Sequence, residues 1–265
     1  MLRADPLINK EHGSWAILLV PPLTTLLALS EFSLLSVIFF LTILSAFLTA
    51  RPAEIWIQDI INKRPESSRR KNAFFWLSVY TSAAAFFSVI LLAMTGRYGI
   101  LLFGFAGIVM ILCSQFLQAR SGKTLGRDIA GIAGLTLGAP AAFYIHTGAV
   151  SPEALQLWLY NFLFFSSGAF YVHSVIEQAG KKESPEKFSI TSKFFLNLSY
   201  HIILILFLLF IILNDSPAAL GFAFLPMIFH VFASMVMLKG KANFKKIGFT
   251  LLGYSIFFGI MIGTM

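Results

Sequence analysis

The sequence has little charge and almost no cysteine, and both shortages narrow the class of protein. Only 12% of the 265 residues are Asp, Glu, Lys or Arg, about half the share found in a typical soluble domain. Cys113 is the single cysteine, so the chain can form neither an internal disulfide nor a zinc site built from cysteine clusters. It also has no Walker-type phosphate loop, no Ser-His-Asp order and no HExxH. These absences argue against the common soluble enzymes.

Most residues of the sequence are apolar. Hydrophobic residues make up 57% of the chain, 29 of them Phe, and the mean hydropathy is +0.80. Runs of about 20 apolar residues span a bilayer as helices, so we expect a single all-α transmembrane domain over residues 1–265. The first run lacks an Ala-x-Ala exit and is predicted to be a retained span rather than a cleaved signal peptide. The nine predicted spans are 14–30, 33–55, 73–94, 98–117, 126–147, 154–176, 194–213, 217–238 and 247–264.

The positions of the basic residues predict the orientation of these spans. Cytoplasmic loops of membrane proteins are enriched in Lys and Arg. If the amino terminus is cytoplasmic, 19 of the 20 basic residues fall in cytoplasmic segments and Arg97 alone lies outside. We therefore expect nine transmembrane helices with the N-terminus inside and the C-terminus outside. Since the charge is spread over five membrane-facing segments, its net value of +8 indicates no nucleic-acid partner.

A polar stretch follows the second predicted span. Glu54, Gln58 and Asn62 are four residues apart and form one stripe on a helix, while Asp59 lies to one side of it. Ionisable groups at membrane depth are costly and usually functional, so this stripe is a candidate for half of a binding site. The alternative is that Glu54 simply pairs with Arg51 where the helix has left the bilayer.

The end of the sixth predicted span offers a second polar group. His173 and Glu177 are four residues apart on one helical face, and Lys181 follows one turn later. These side chains are candidates for the other half of the site, or an ordinary polar pair at the membrane rim. His146, His201 and His230 have no such partner at helical spacing, and we expect them to be hydrogen-bonded packing residues.

Prolines and small residues predict local features of two other spans. Pro21 and Pro22 should kink or restart the first helix. The fifth span carries Pro140, which should interrupt it midway. Small residues in this span recur at four-residue spacing, which allows another helix to approach closely. They are Ala130, Gly134, Gly138 and Ala142.

Four sequence segments resemble the YwiC-like family of bacterial integral membrane proteins. They are residues 11–15 (EHGSW), 131–144 (GIAGLTLGAPAAFY), 158–172 and 245–248 (KKIG). This resemblance implies a multi-pass protein of the bacterial cytoplasmic membrane.

The predicted architecture is also similar, more remotely, to the UbiA superfamily of intramembrane prenyltransferases. That resemblance implies a cytoplasm-facing polar site between helices 2 and 6, where magnesium holds the diphosphate of a prenyl or lipid-phosphate substrate. Glu54, Asp59 and Glu177 would bind the magnesium. The residues implied in ligand or diphosphate binding are Arg51, Glu54, Gln58, Asp59, Asn62, His173, Glu177 and Lys181. Because the chain has few carboxylates at these places, the alternative is a non-enzymatic carrier or a quinone- or lipid-binding accessory protein.

Overall fold

The computed structural model describes residues 5–9, 12–61, 68–122, 124–180, 192–214, 217–237 and 242–265. Within these ranges all regular secondary structure is helical. The helices are α1 (His12–Leu29), α2 (Leu34–Leu48), α3 (Ala50–Ile61), α4 (Ser68–Thr95), α5 (Ile100–Ser121), α6 (Leu125–Thr136), α7 (Gly138–Thr147), α8 (Pro152–Ala179), α9 (Ser192–Leu213), α10 (Ala219–Met237) and α11 (Phe244–Gly263).

Every predicted span coincides with one helix or with two consecutive helices. The second span consists of α2 and α3 and continues to Ile61, six residues beyond its predicted end, and the fifth consists of α6 and α7. Six of these helical stretches are long and apolar enough to cross a membrane, while α1 and α10 contain shorter apolar segments. The prediction of an all-helical, multi-pass protein is therefore confirmed, whereas the count of nine spans and their orientation stay predictions.

Both interrupted spans break three residues before a proline. The turn between α2 and α3 is at Thr49, before Pro52, and the turn between α6 and α7 is at Leu137, before Pro140. A proline has no N–H for the carbonyl four residues earlier, and its ring crowds that carbonyl. The interruption predicted from Pro140 is therefore confirmed, and the same rule explains the break before Pro52.

The sequence predicts that Pro21 and Pro22 kink or restart the first helix. The helix does not restart, because α1 continues through both prolines. Contacts with α7 accompany this continuity. The Oγ1 hydroxyl of Thr25 donates to the carbonyl oxygen of Ala139 across 3.1 Å. A Cβ added to Gly138 would lie 3.2 Å from Cδ of Pro22, so glycine allows the two helices to approach here.

Helix α8 packs inside the bundle, and α4 and α5 present apolar side chains outward. Phe164 of α8 stacks on Phe258 with ring centroids 4.1 Å apart and meets Phe224 edge-on. By contrast, no residue in the most apolar stretch of α5 is buried, and Phe105 of this helix is 68% exposed. Since an apolar surface of this extent is unfavourable in water, these outer helices suit a lipid environment.

Each of the three isolated histidines is hydrogen-bonded to another helix, as expected for packing residues. In α9, Nδ1 of His201 lies 2.8 Å from the carbonyl oxygen of Asn197 and therefore donates to it. Its Nε2 can then accept from a serine hydroxyl of α8. The cross-helix pairs are His146 with Ser36 (3.2 Å), His201 with Ser167 (2.7 Å) and His230 with Tyr171 (3.3 Å).

Candidate functional site

A cavity of about 800 Å³ lies among α1, α5, α6, α8 and α11. Its deeper lining is apolar and includes Leu135, Phe164, Phe165 and Met227. Polar lining residues come from the first turns of α1, α6 and α11, the last turns of α5, and α8 one to two turns before its end. They are Ser14, Gln115, Gln118, Arg127, Asp128, His173 and Lys245, and the cavity is also lined by Asn9, Ser114 and, deeper along α11, Ser255. The cavity therefore has an apolar body and one polar end.

Asp128 contacts Arg127 and His173 at this polar end. Its Oδ1 lies 2.9 Å from Nε of Arg127, and its Oδ2 accepts from Nε2 of His173 across 2.8 Å. The side chains of Arg127, Asp128 and His173 are 12%, 30% and 7% exposed. A carboxylate with both oxygens engaged fixes the positions of its two partners, so the three side chains form one ordered unit.

The N-cap of α6 explains why Asp128 lies at the polar end of the cavity. Thr124 is the N-cap of α6, and its side chain accepts from the backbone N–H of Arg127 across 3.3 Å. This cap places Asp128 in the first turn of α6, where the helix macrodipole favours a negative charge. His173 reaches the same point from α8, 45 residues later in the chain.

Gln115 adds a polar atom that the described protein groups do not satisfy. Its Oε1 is buried and accepts no hydrogen bond from the described residues, and the side chain lines the cavity. A buried acceptor without a partner costs about 1–3 kcal/mol. A polar group of a ligand, or water, in the cavity would remove this cost.

Glu54 is held by three donors beside this cavity. Its Oε2 accepts from Arg51 across 2.5 Å, and its Oε1 accepts from Gln58 across 3.1 Å and from Gln118 across 2.6 Å. Glu54 therefore contacts Gln58 of the predicted stripe and also pairs with Arg51, and its part in a binding site stays a prediction. Glu54 touches the cavity lining through Gln118.

The remaining predicted site residues lie elsewhere or outside the described ranges. Asp59 is buried, at 3% exposure. Oε2 of Glu177 accepts from the backbone N–H of Lys193 across 3.1 Å, at the start of α9. Asn62 and Lys181 lie outside the residues that the structure describes. The carboxylate bonded to His173 is thus supplied by Asp128 of α6, a partner that helical spacing does not reveal.

The fit of a magnesium ion can be judged from the described carboxylates. In the part of the chain that the structure describes, no three or more His, Cys, Asp or Glu side chains are grouped to hold a metal ion. The oxygens of Glu54 face Arg51, Gln58 and Gln118, whereas Mg²⁺ demands near-ideal octahedral oxygen coordination. These contacts of Glu54 do not fit a magnesium ligand, and the assignment of Asp59 and Glu177 as magnesium ligands stays a prediction.

The sequence-based site omitted the cavity residues of α5, α6 and α11. One signal was available, because Asp128 lies at the start of the fifth predicted span and His173 near the end of the sixth. Two consecutive antiparallel spans bring those ends to the same side of the membrane. Gln115, Gln118 and Lys245 gave no comparable signal, since their role depends on which helices enclose the cavity.

Helices long and apolar enough to cross a membrane, surrounding a cavity with one polar end, define a multi-pass membrane protein of the all-helical class. Residues 8–143, slightly more than half of the chain, match the family described as YwiC-like protein. The chain therefore belongs to the YwiC-like family. No curated protein and no solved structure matches it. The similarity to the UbiA superfamily stays a prediction.

Proposed function

We propose that this protein binds an amphipathic membrane molecule in the cavity, with the apolar tail in the body and the head group at the polar end. The observation that carries this proposal is the single cavity that joins Phe164 and Phe165 to Arg127, Asp128 and His173. The side chains of Arg127 and His173 are only 12% and 7% exposed there, and ionisable groups enclosed within a membrane bundle commonly mark a functional site.

The size and lining of the cavity support a lipid-like tail. A volume of about 800 Å³ is within the range of sites that enclose most of a small ligand. Gly168 contributes no side chain to the wall, and a Cβ added there would reach only Cε of Met227, at 4.0 Å. Burial of a hydrocarbon chain against this wall gains about 25 cal/mol per Å² of apolar area.

We propose nine spans with a cytoplasmic amino terminus, and the ends at which helices touch support the alternating direction of these spans. Near one end of the bundle, His146 of α7 bonds Ser36 of α2, and Arg97 donates to the carbonyl oxygens of Tyr144 and Ile145. Gln118 of α5 meets α3 at the other end. This alternation agrees with the distribution of basic residues, so we propose that the polar end of the cavity faces the cytoplasm of a bacterium.

The described geometry favours binding without turnover, as a lipid- or quinone-binding accessory protein or a carrier. A UbiA-like prenyl or lipid-phosphate transferase would need carboxylates that hold a metal-bound diphosphate. Glu54 already accepts three hydrogen bonds, and Asp128 forms an ion pair with Arg127 and accepts from His173. Transferase activity is the second candidate, since the position of the polar end resembles that of the UbiA site.

The test measures lipid binding by the full-length protein in nanodiscs, through displacement of a fluorescent long-chain lipid. Ala169 lines the cavity, and Ala169→Phe is expected to lower the affinity at least about tenfold by filling it. Ala85→Phe is the matched control, because Ala85 is exposed on α4, and it should bind like wild type. Failure of wild type to bind, or equal binding by a folded Ala169→Phe, would contradict the proposal. Conversion of the bound lipid to a new product would identify a transferase.

A further inference from the structure

We infer that the head group bound in the cavity is an oxyanion, held by Arg127 and Lys245 without a metal ion, with Asp128 as the positioning residue. This inference rests on the proposed function and specifies the class of its ligand. A phosphate monoester and a carboxylate share the required chemistry, which is a compact group of oxygens with negative charge.

The charges around the cavity are unbalanced in favour of an anion. Among the described lining residues, Arg127 and Lys245 carry fixed positive charges, and Asp128 carries the single negative charge. A cavity lined with one excess sign of charge raises the local concentration of the opposite ion, especially where its walls are apolar.

Asp128 cannot serve as a metal ligand in its present contacts. Its two oxygens accept from Arg127 and His173 at 2.9 and 2.8 Å, so a metal ion would have to displace one of these donors. Its role is instead to fix the guanidinium and imidazole groups at the polar end. A guanidinium is planar and matches the oxygens of carboxylate or phosphate through paired N–H donors, and it is the usual residue for such recognition.

Lys245 and Arg127 differ in exposure, so an anionic head group can first meet Lys245 and then be enclosed beside Arg127. Lys245 is exposed in the first turn of α11, whereas the side chain of Arg127 is only 12% exposed. Coulomb attraction strengthens as the local dielectric constant falls, so Arg127 should contribute more of the affinity and Lys245 more of the association rate. The buried Oε1 of Gln115 can accept from the P–OH of a singly protonated phosphate monoester, a hydrogen that a carboxylate lacks.

The experiment compares head groups on one tail. Farnesol, farnesyl phosphate, farnesyl diphosphate and farnesoic acid compete for the fluorescent lipid on full-length protein in neutral nanodiscs, with either Mg²⁺ or a chelator. Charge-assisted hydrogen bonds should make the phosphate and the carboxylate bind at least about tenfold tighter than the alcohol. The same ratios are expected with Mg²⁺ and with the chelator. Arg127→Gln should reduce the phosphate-to-alcohol ratio towards one, and Lys245→Gln should slow association of the phosphate.

Two matched variants control for charge alone. Arg120 at the end of α5 and Lys246 beside Lys245 do not line the cavity, so Arg120→Gln and Lys246→Gln should keep the wild-type ratio. If Arg127→Gln fails to fold, Lys245→Gln carries the test, because its exposed side chain is not needed for packing. Equal binding of alcohol and phosphate, or a preference that disappears with the chelator, overturns the inference while leaving the proposed function intact. Failure of every ligand, farnesol included, overturns the proposed function itself.

Discussion

Gln118 donates its Nε2–H to Oε1 of Glu54 across 2.6 Å, joining α5 to α3. Gln118 also lines the cavity, whereas Glu54 stands behind it. Glu54 accepts from Arg51 and Gln58 as well. This carboxylate therefore gathers three donors from two helices and sets the position of one cavity wall.

Replacement of Glu54 by Ala is expected to lower the free energy of unfolding by about 1–3 kcal/mol, because three donors lose their acceptor. Thermal unfolding in detergent measures this as a lower melting temperature. Glu31→Ala is the control, since the Glu31 side chain is exposed in the α1–α2 connection, and it should melt like wild type. Equal melting of Glu54→Ala and Glu31→Ala would show that the network around Glu54 does not stabilise the fold.

The helices could be predicted from the sequence because their signals are local. Run length placed the spans, and Pro140 gave the interruption of the fifth one. Pro21 and Pro22 were harder, since a proline inside a helix can be accommodated by tertiary contacts such as Thr25 with Ala139. The chain alone does not reveal those contacts.

The site was only partly predictable, because its pairs come from distant segments. The Glu54 and Gln58 contact follows helical spacing and was expected. The partners of Glu54 and His173 on other helices are 64 and 45 residues away in sequence. Such pairs depend on which helices pack together and on their rotation, and neither is encoded in a single segment.

Asp128 and His173 should show energetic coupling in a double-mutant cycle. Asp128→Ala and His173→Ala each remove one partner of the same 2.8 Å hydrogen bond, so their effects on unfolding free energy should deviate from additivity by about 0.5–3 kcal/mol. Thermal unfolding of the wild type, the two single variants and the double variant provides the measurement.

His146 offers the control for this cycle. It bonds Ser36 of α2 rather than any residue of the polar end, so Asp128→Ala and His146→Ala should be additive within about 0.5 kcal/mol. If both cycles give the same coupling energy, the bond between Asp128 and His173 has no specific contribution.

Gly134→Ala is expected to destabilise the packing of α6 against α5. A Cβ at Gly134 would lie 2.9 Å from Cβ of Met110 and 3.3 Å from the carbonyl oxygen of Gly107, and such overpacking costs about 1–3 kcal/mol. Gly126→Ala in the same helix meets nothing within 4 Å, so it should leave the melting temperature unchanged or raise it, since Ala favours helix. The reverse order of the two melting temperatures would contradict the close helix approach.

The proposed orientation predicts which engineered cysteines are accessible from outside the cell. In a Cys113→Ser background, Glu31→Cys lies in the connection between α1 and α2, and Lys246→Cys lies in the first turn of α11. Both native side chains are exposed, so a difference in labelling reports the side of the membrane rather than burial.

A membrane-impermeant maleimide should label Glu31→Cys in intact bacterial cells and Lys246→Cys only after permeabilisation. This order is required because Lys246 belongs to the basic segments assigned to the cytoplasm, which are also the segments that border the polar end of the cavity. Labelling of Lys246→Cys in intact cells would invert the orientation and turn the polar end of the cavity outward.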